Sequence, residues 1–245
     1  MKMAGPATTT VLQNLPASGD RYNATMTAFD RVCNRFSETF DWINESLPGL
    51  AESVGDTLRQ DSEGVRVRPL NVLSVGTGDG LIDSKILSQF RERTWRNIHA
   101  VILEPDSWKM QQYRDLATKD SVKLQGVDFD WREQTFQEYQ TTAIGDKFNV
   151  IVCWHSIYYC GDLEKSLKHL HERLENGGLL FIAVMTGESG FGKLWHYLDV
   201  TMGRKGSLVT SSDVEEVCGK LKIPIAEVQI MKVSCDIFHC FDPPD

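Results

Sequence analysis

The stretch "VLSVGTGDGLIDSKIL", Val72 to Leu87, sets Gly76, Gly78 and Gly80 between an apolar run and a helix-like one. Glycine tolerates positive φ and lacks a Cβ, so such a cluster serves either a tight turn or a close approach of backbone to something that is not protein. The flanking segments decide which. Working outward, short apolar or β-branched runs alternate with amphipathic ones. "LNVLSV" precedes a helix from about Leu81, and "IHAVIL" precedes one from about Ser107. "VKLQGVDF" leads into a mostly polar segment near Glu133, and "FNVIVCW" into the helix "LEKSLKHLHERL". "GGLLFIAVM" is followed by "FGKLWHYLDV", and "SSDVEEVCGKLK" by a last strand-like run, "IAEVQIMKVSCDI". Continuous apolar strands separated by helices predict an α/β fold: a doubly wound, mostly parallel sheet with helices on both faces.

In such a sheet ligands bind outside the carboxyl ends of the strands, where the strand order reverses, and the first strand-to-helix turn lies there. That turn is G-T-G-D-G. The dinucleotide fingerprint G-x-G-x-x-G would put its third glycine at position 81, which is Leu81; here it comes one residue early, at Gly80. Glu104, at the end of the second strand in "VILEP", stands where a carboxylate accepts the hydroxyls of an adenosine ribose. The two features together favour an adenosine cofactor over a plain turn. A pyrophosphate suits a helix N-terminus with free N–H groups, as in an NAD-linked oxidoreductase. This loop instead carries Asp79 and is followed by Asp83, which suits the ammonium and sulfonium of S-adenosylmethionine. The cofactor expected is S-adenosylmethionine.

The bulk properties fit a small-molecule enzyme. The chain has 245 residues and a formal charge of −8 at pH 7, so a general attraction to nucleic acid or anionic lipid is not expected. No segment approaches the ~20 apolar residues of a membrane span, and the start shows no apolar signal region. Six cysteines form no C-x-x-C pair and read as reduced core residues. A cytoplasmic monomer, with no nucleic-acid or membrane partner and no metal, is expected. Residues 1–20 read as a flexible arm and 21–245 as a single domain: a helical substrate cap over 21–60, a cofactor-binding core over 70–185 and a substrate-side region over 186–245. In the cap, Phe29, Val32, Phe36, Phe40, Ile43 and Leu47 form one helix face that is expected to end at Leu47-Pro48-Gly49.

Past the fourth strand, Trp154, His155, Tyr158 and Tyr159 cluster where the reactive end of the cofactor should lie. Phe191 and Trp195 follow the fifth strand at helical i, i+4 spacing. Each aromatic group by itself fits core packing; both opening on one crevice would line a pocket. Methyl transfer needs orientation of a neutral lone pair rather than a strong nucleophile, so no residue is assigned as catalytic, and His155, Tyr158 and Tyr159 would orient the acceptor.

From about Tyr22 to Phe241 the chain resembles the histamine N-methyltransferase family. The resemblance rests on "VLSVGTGDGLIDSKILS", on "EP" at Glu104, on "TFQEYQ", on Tyr158-Tyr159, on "GKLW" and on "TSSDVEE". It implies a Rossmann-like class I methyltransferase with an N-terminal helical cap, which moves a methyl from S-adenosylmethionine to an imidazole ring nitrogen of histamine or a similar small amine. By position it implies cofactor contacts at Gly76, Thr77, Gly78, Gly80 and Glu104. Lys109 stands for a family glutamine, Thr135 and Phe136 fall at the adenine border, and Trp154 replaces a smaller aliphatic residue at the adenine edge. On the substrate side the resemblance implies Glu38, in "NRFSET", as the partner of the substrate ammonium. His155 takes the place of a glutamine that holds the imidazole, Tyr158, Tyr159 and Trp195 match directly, and Phe191 replaces a tryptophan. The family continues for roughly a sixth of its length beyond "DIFHCFDPPD". Two alternatives are therefore another imidazole or amine acceptor, and a cofactor-binding protein with impaired catalysis.

Overall fold

The computed structural model describes residues 20–60, 68–142, 145–201 and 208–235. The expected arm but for Asp20, which begins a helix, most of the polar link after residue 60, Cys240 and the "DPPD" tail lie outside them. The chain divides into two compact units, one of residues 40–230 and a smaller one of 1–39 with 231–245.

The larger unit holds a five-stranded sheet: β1 (Leu70–Val75), β2 (Ile98–Leu103), β3 (Val127–Arg132), β4 (Phe148–Trp154) and β5 (Leu174–Ala183). The order is β3-β2-β1-β4-β5 and every pairing is parallel. The doubly wound α/β expectation is met. Successive side chains of a strand face opposite sides, and both sides here are apolar. Val72, Ile98, Ala100, Ile102, Val150 and Val152 pack on one face, with Leu73, Val75, Val101, Leu103, Ile151 and Cys153 on the other. On the first face lie α2 (Arg35–Gln60), through Ile43, Leu47, Ala51 and Val54; α3 (Leu81–Thr94), through Ile86, Leu87 and Phe90; and α4 (Ser107–Lys119), through Met110 and Tyr113. The second face is covered by α5 (Phe136–Thr142), α6 (Leu163–Glu172) and α8 (Ser211–Leu221). The remaining helix, α7 (Gly190–Thr201), follows β5.

Local chemistry starts these helices where the sequence puts polar residues. Asp106 accepts from the N–H groups of Trp108 and Lys109 at the head of α4, and Asp162 from that of Lys165 at the head of α6. Thr210 and Asp213 form a reciprocal capping box on α8. Each satisfies backbone donors that the first helical turn leaves without a carbonyl.

Three sequence expectations need correction. The N-terminal apolar face is not one helix: α1 (Asp20–Val32) and α2 are broken at Cys33-Asn34. Nor does the helix end at Leu47-Pro48-Gly49, because α2 runs through Pro48 to Gln60. Pro48 forfeits one backbone bond, but Ile43, Leu47, Ala51 and Val54 are buried as one stripe across it, and their packing outweighs the local preference. Finally, of the run 225–237 expected as a strand, residues 225–234 pair with no strand, Cys235 makes only an isolated bridge, and Ile225, Val228 and Ile230 are exposed; 236 and 237 lie outside the described residues. An alternating apolar pattern makes a strand only where a neighbour takes its N–H and C=O groups.

In the smaller unit, Cys33 pairs with Cys235 in an isolated antiparallel bridge, and the Asn34 N–H donates to the Ser234 carbonyl at 3.1 Å. The Asn34 side chain works in both directions. Its Oδ1 accepts from the Ser234 N–H at 2.8 Å, and its Nδ2 donates to Glu38 Oε1 at 2.9 Å.

If α2 is continuous through Pro48, Pro48→Ala restores an N–H where the helix can use it. The gain of up to ~3 kcal/mol is reduced by up to ~1 kcal/mol through the unfolded chain's greater freedom. The expected outcome is a rise in unfolding free energy of about 2 kcal/mol in urea. A fall would place a helix end at this proline.

Candidate functional site

Because the strands are parallel, their carboxyl ends share one edge. Val75 of β1 sits beside Leu103 of β2, and Trp154 of β4 beside Ala183 of β5. The residues just beyond are the glycine loop, Glu104 and His155. β1 and β4 are neighbours although β2 and β3 lie on the far side of β1, so the glycine loop stands at the switch point of the sheet.

All three glycines have positive φ, of 64°, 61° and 77°, but for different reasons. A Cβ on Gly76 would come within 2.7 Å of the Ser156 Cβ, and one on Gly80 within 2.0 Å of the Tyr113 ring. These two glycines admit other parts of the protein. A Cβ on Gly78 would meet nothing within 4 Å. There the backbone faces open space while its N–H donates to Glu104 Oε2 at 2.8 Å. The other carboxylate oxygen, Oε1, accepts from the Asp106 N–H at 3.0 Å. Glu104 is buried, and burial raises its pKa; the two N–H bonds and the charge of Lys109 act the other way.

Beneath the loop lies a second buried acid. Asp83, on the first turn of α3, accepts from the Tyr113 hydroxyl at 2.7 Å. Burial pushes its pKa up to about 6 against the effect of that bond. Tyr113 therefore meets both ends of the turn, with its ring under Gly80 and its hydroxyl on Asp83. Asp79 is exposed and accepts from the Leu81 N–H at 3.1 Å.

On the β4 side, His155 adopts φ +49°, a left-handed conformation that costs a non-glycine residue about 1–2 kcal/mol. The sharp turn sends Ser156 beneath Gly76. Trp154 is half-buried, with its ring centroid 5.9 Å from that of Trp42, 5.6 Å from that of Phe181 and 6.1 Å from that of His155. Trp42 stacks on Phe181 at 5.5 Å. Tyr158 and Tyr159 form an edge contact of 4.5 Å in the following short 3-10 turn, and Tyr159 is exposed.

The expected residues thus fall into separate groups. Gly76, Thr77, Gly78, Gly80 and Glu104 come together, with Lys109 close enough to act on Glu104. Thr135 caps α5: its N–H and hydroxyl both bond Glu138 Oε2, at 2.7 and 2.8 Å. Phe136 is buried with Tyr139 and against the edge of His169. Phe191 and Trp195 stack on each other along α7 at 5.9 Å. Glu38 belongs to the smaller unit, held by Asn34. Sequence reasoning missed Tyr113, Trp42, Phe181 and Asn34. For Tyr113 there was one signal: Gly80 is a glycine where the dinucleotide pattern does not require one.

A family model described as a methyltransferase domain matches residues 19–221. The chain belongs to this methyltransferase family. Among relatives of the methyltransferase, histamine N-methyltransferase of Bos taurus is 27% identical over 209 residues, 82% of this chain and 68% of that protein. The Rattus norvegicus protein of the same name is also 27% identical, over 87% of this chain and 72% of its own length. Carnosine N-methyltransferase 2 of Gallus gallus is 29% identical over 70% of this chain and 55% of its own. The solved structure of the plantazolicin methyltransferase BpumL, in complex with a triazolic desmethylPZN analog and SAH, shares the fold at a TM-score of 0.53. It is 12% identical and covers 85% of this chain and 71% of its own.

S-adenosylmethionine as cofactor agrees with the methyltransferase-domain match, and the loop fits it. Gly78 leaves a cradle that a Cβ would enter, Glu104 is fixed beside it, and the Thr77 hydroxyl is buried among these groups with no hydrogen-bond partner among the described residues.

Two outcomes follow from the buried acids. Glu104→Ala is expected to weaken S-adenosylhomocysteine binding by about 1.5–3 kcal/mol in calorimetric titration, the scale of charge-assisted hydrogen bonds; unaltered binding removes Glu104 from the cofactor. Asp83 titrates near 3.8 unfolded and about 6 folded, so the native state holds its proton more tightly. Its stabilisation is complete below about pH 4 and is lost as pH rises through about 6, a swing on the order of 3 kcal/mol. Asp83→Asn cannot ionise, so its unfolding free energy should gain on the native chain by that amount between pH 4 and 7. Parallel pH curves for the two would show that Asp83 does not titrate in this window.

Proposed function

We propose that the methyltransferase transfers a methyl group from S-adenosylmethionine to an imidazole ring nitrogen of histamine or a similar small amine. The observation that carries this reading is the open, positive-φ Gly78 beside the buried Glu104 carboxylate, in a chain whose relatives are named for methylating imidazole compounds. When bound, the cofactor supplies a sulfonium methyl open to in-line attack. The protein's part is to bind, orient and exclude water.

In this reading Glu104 takes the ribose hydroxyls on the lone pairs that Gly78 and Asp106 leave available. The backbone of Gly76, Thr77, Gly78 and Gly80 lies against the cofactor's amino-acid end. Lys109, Thr135, Phe136 and Trp154 are assigned to its adenine side, although Glu138 already engages the N–H and hydroxyl of Thr135 and the core takes the Phe136 ring. His155 holds the acceptor ring: a neutral imidazole has one donor and one acceptor nitrogen and so can replace a side-chain amide. Tyr158, Tyr159, Phe191 and Trp195 supply aromatic surface for a flat acceptor. Glu38 is assigned to the substrate ammonium on the resemblance alone; its carboxylate already takes one bond from Asn34. The proposal includes a small-molecule amine substrate and a monomer working in the cytoplasm. No helix among the described residues is long and apolar enough to cross a membrane.

The carnosine N-methyltransferase relative favours a second reading, an imidazole-bearing dipeptide as acceptor. Transfer of radiolabelled methyl to histamine, carnosine and other biogenic amines tests both. Histamine as the best acceptor supports the first reading and carnosine the second. Cofactor binding with turnover of neither overturns both.

Glu38→Gln should raise KM for a cationic amine about tenfold, with S-adenosylhomocysteine affinity unchanged, since one charge-assisted bond is lost. An unchanged KM removes Glu38 from the substrate site.

A further inference from the structure

The six cysteines read from sequence as reduced core residues, and Cys153, Cys160 and Cys218 are buried thiols. Burial pushes the pKa of all three up, which suppresses the reactive thiolate. Cys33 and Cys235 differ. Both are thiols, both are half-buried rather than buried, and they face each other across an antiparallel bridge although 202 positions apart in the chain.

The bridge pattern fixes how closely they approach. The bond here runs from the N–H of Asn34, the residue after Cys33, to the carbonyl of Ser234, the residue before Cys235. That is the arrangement flanking a non-hydrogen-bonded pair, in which the facing Cα atoms are about 4.5 Å apart and the side chains lie closest. A disulfide spans Cα separations of about 4.4–6.8 Å. The register is doubly held, because Asn34 Oδ1 also accepts from the Ser234 N–H at 2.8 Å. A slip by one residue would break both bonds.

We propose that Cys33 and Cys235 are a reversible disulfide site, a redox clasp that ties the α1–α2 junction to the segment around Cys235. The oxidant is a low-mass disulfide such as oxidised glutathione. The thiolate of one cysteine attacks a glutathione sulfur, the glutathione S–S bond breaks, and one glutathione thiolate leaves. The second cysteine gives up its proton and attacks the protein-side sulfur of the mixed disulfide, releasing the second glutathione. Two electrons and two protons pass from the cysteines to the oxidant, and reduced glutathione reverses both steps. The inference does not depend on which acceptor the enzyme methylates.

The test equilibrates the full-length native chain in buffers of oxidised and reduced glutathione, quenches by alkylation, and maps peptides by mass spectrometry. The expected result is one cross-linked peptide pair containing Cys33 and Cys235, loss of two alkylatable thiols, and reversal by excess reduced glutathione. Cys33→Ser and Cys235→Ser should each abolish the link, and Cys240→Ser should leave it intact. The oxidised protein should also show a higher urea midpoint, because the cross-link restricts the unfolded chain. Stable glutathione adducts on Cys33 or Cys235 without a cross-link would overturn the proposal, as would a link made through Cys240.

Discussion

One carboxylate holds two loops. The oxygens of Glu104 accept from Gly78, in the turn after β1, and from Asp106, in the turn after β2. The side chain is buried, and a buried charge persists only where donors surround it. Both turns are therefore arranged around that charge. Two further contacts close the glycine loop from either side: Ser156 presses against Gly76 and the Tyr113 ring against Gly80. What remains between them, at Gly78, is a short length of bare backbone with room above it. The site follows from this constraint: a side chain at Gly76 or Gly80 would strike Ser156 or Tyr113, and one at Gly78 would enter the space left open above the backbone.

The fold was legible because a parallel sheet covered on both sides demands uninterrupted apolar strands, and such runs stand out. The register of Val72 and Leu73 onto opposite cores is that demand seen from inside. Pro48 misled because its effect on a helix is local, whereas the stripe of Ile43, Leu47, Ala51 and Val54 that carries α2 past it is a property of the packed unit. The segment from Ile225 misled in the opposite way, as an apolar alternation with no strand beside it.

The site was legible in the same uneven way. Backbone chemistry is written in glycines, and an acid at a strand end is a positional signal, so the loop and Glu104 could be read. Contacts between distant side chains could not. Tyr113 reaches Asp83 from 30 positions away, and Trp42 meets Phe181 from the other end of the sheet's sequence. Thr135 and Phe136 show a subtler difficulty: the resemblance gives their position, but a capping box and a buried ring already engage their side chains.

The sheet order has a kinetic side. β1 is bonded along both edges, to β2 and to β4, and all of its residues but Asn71 are buried. Amide hydrogens in such a strand exchange with solvent only through the largest openings of the domain. The glycine loop hangs directly from that strand, so its anchor belongs to the part of the molecule that opens last.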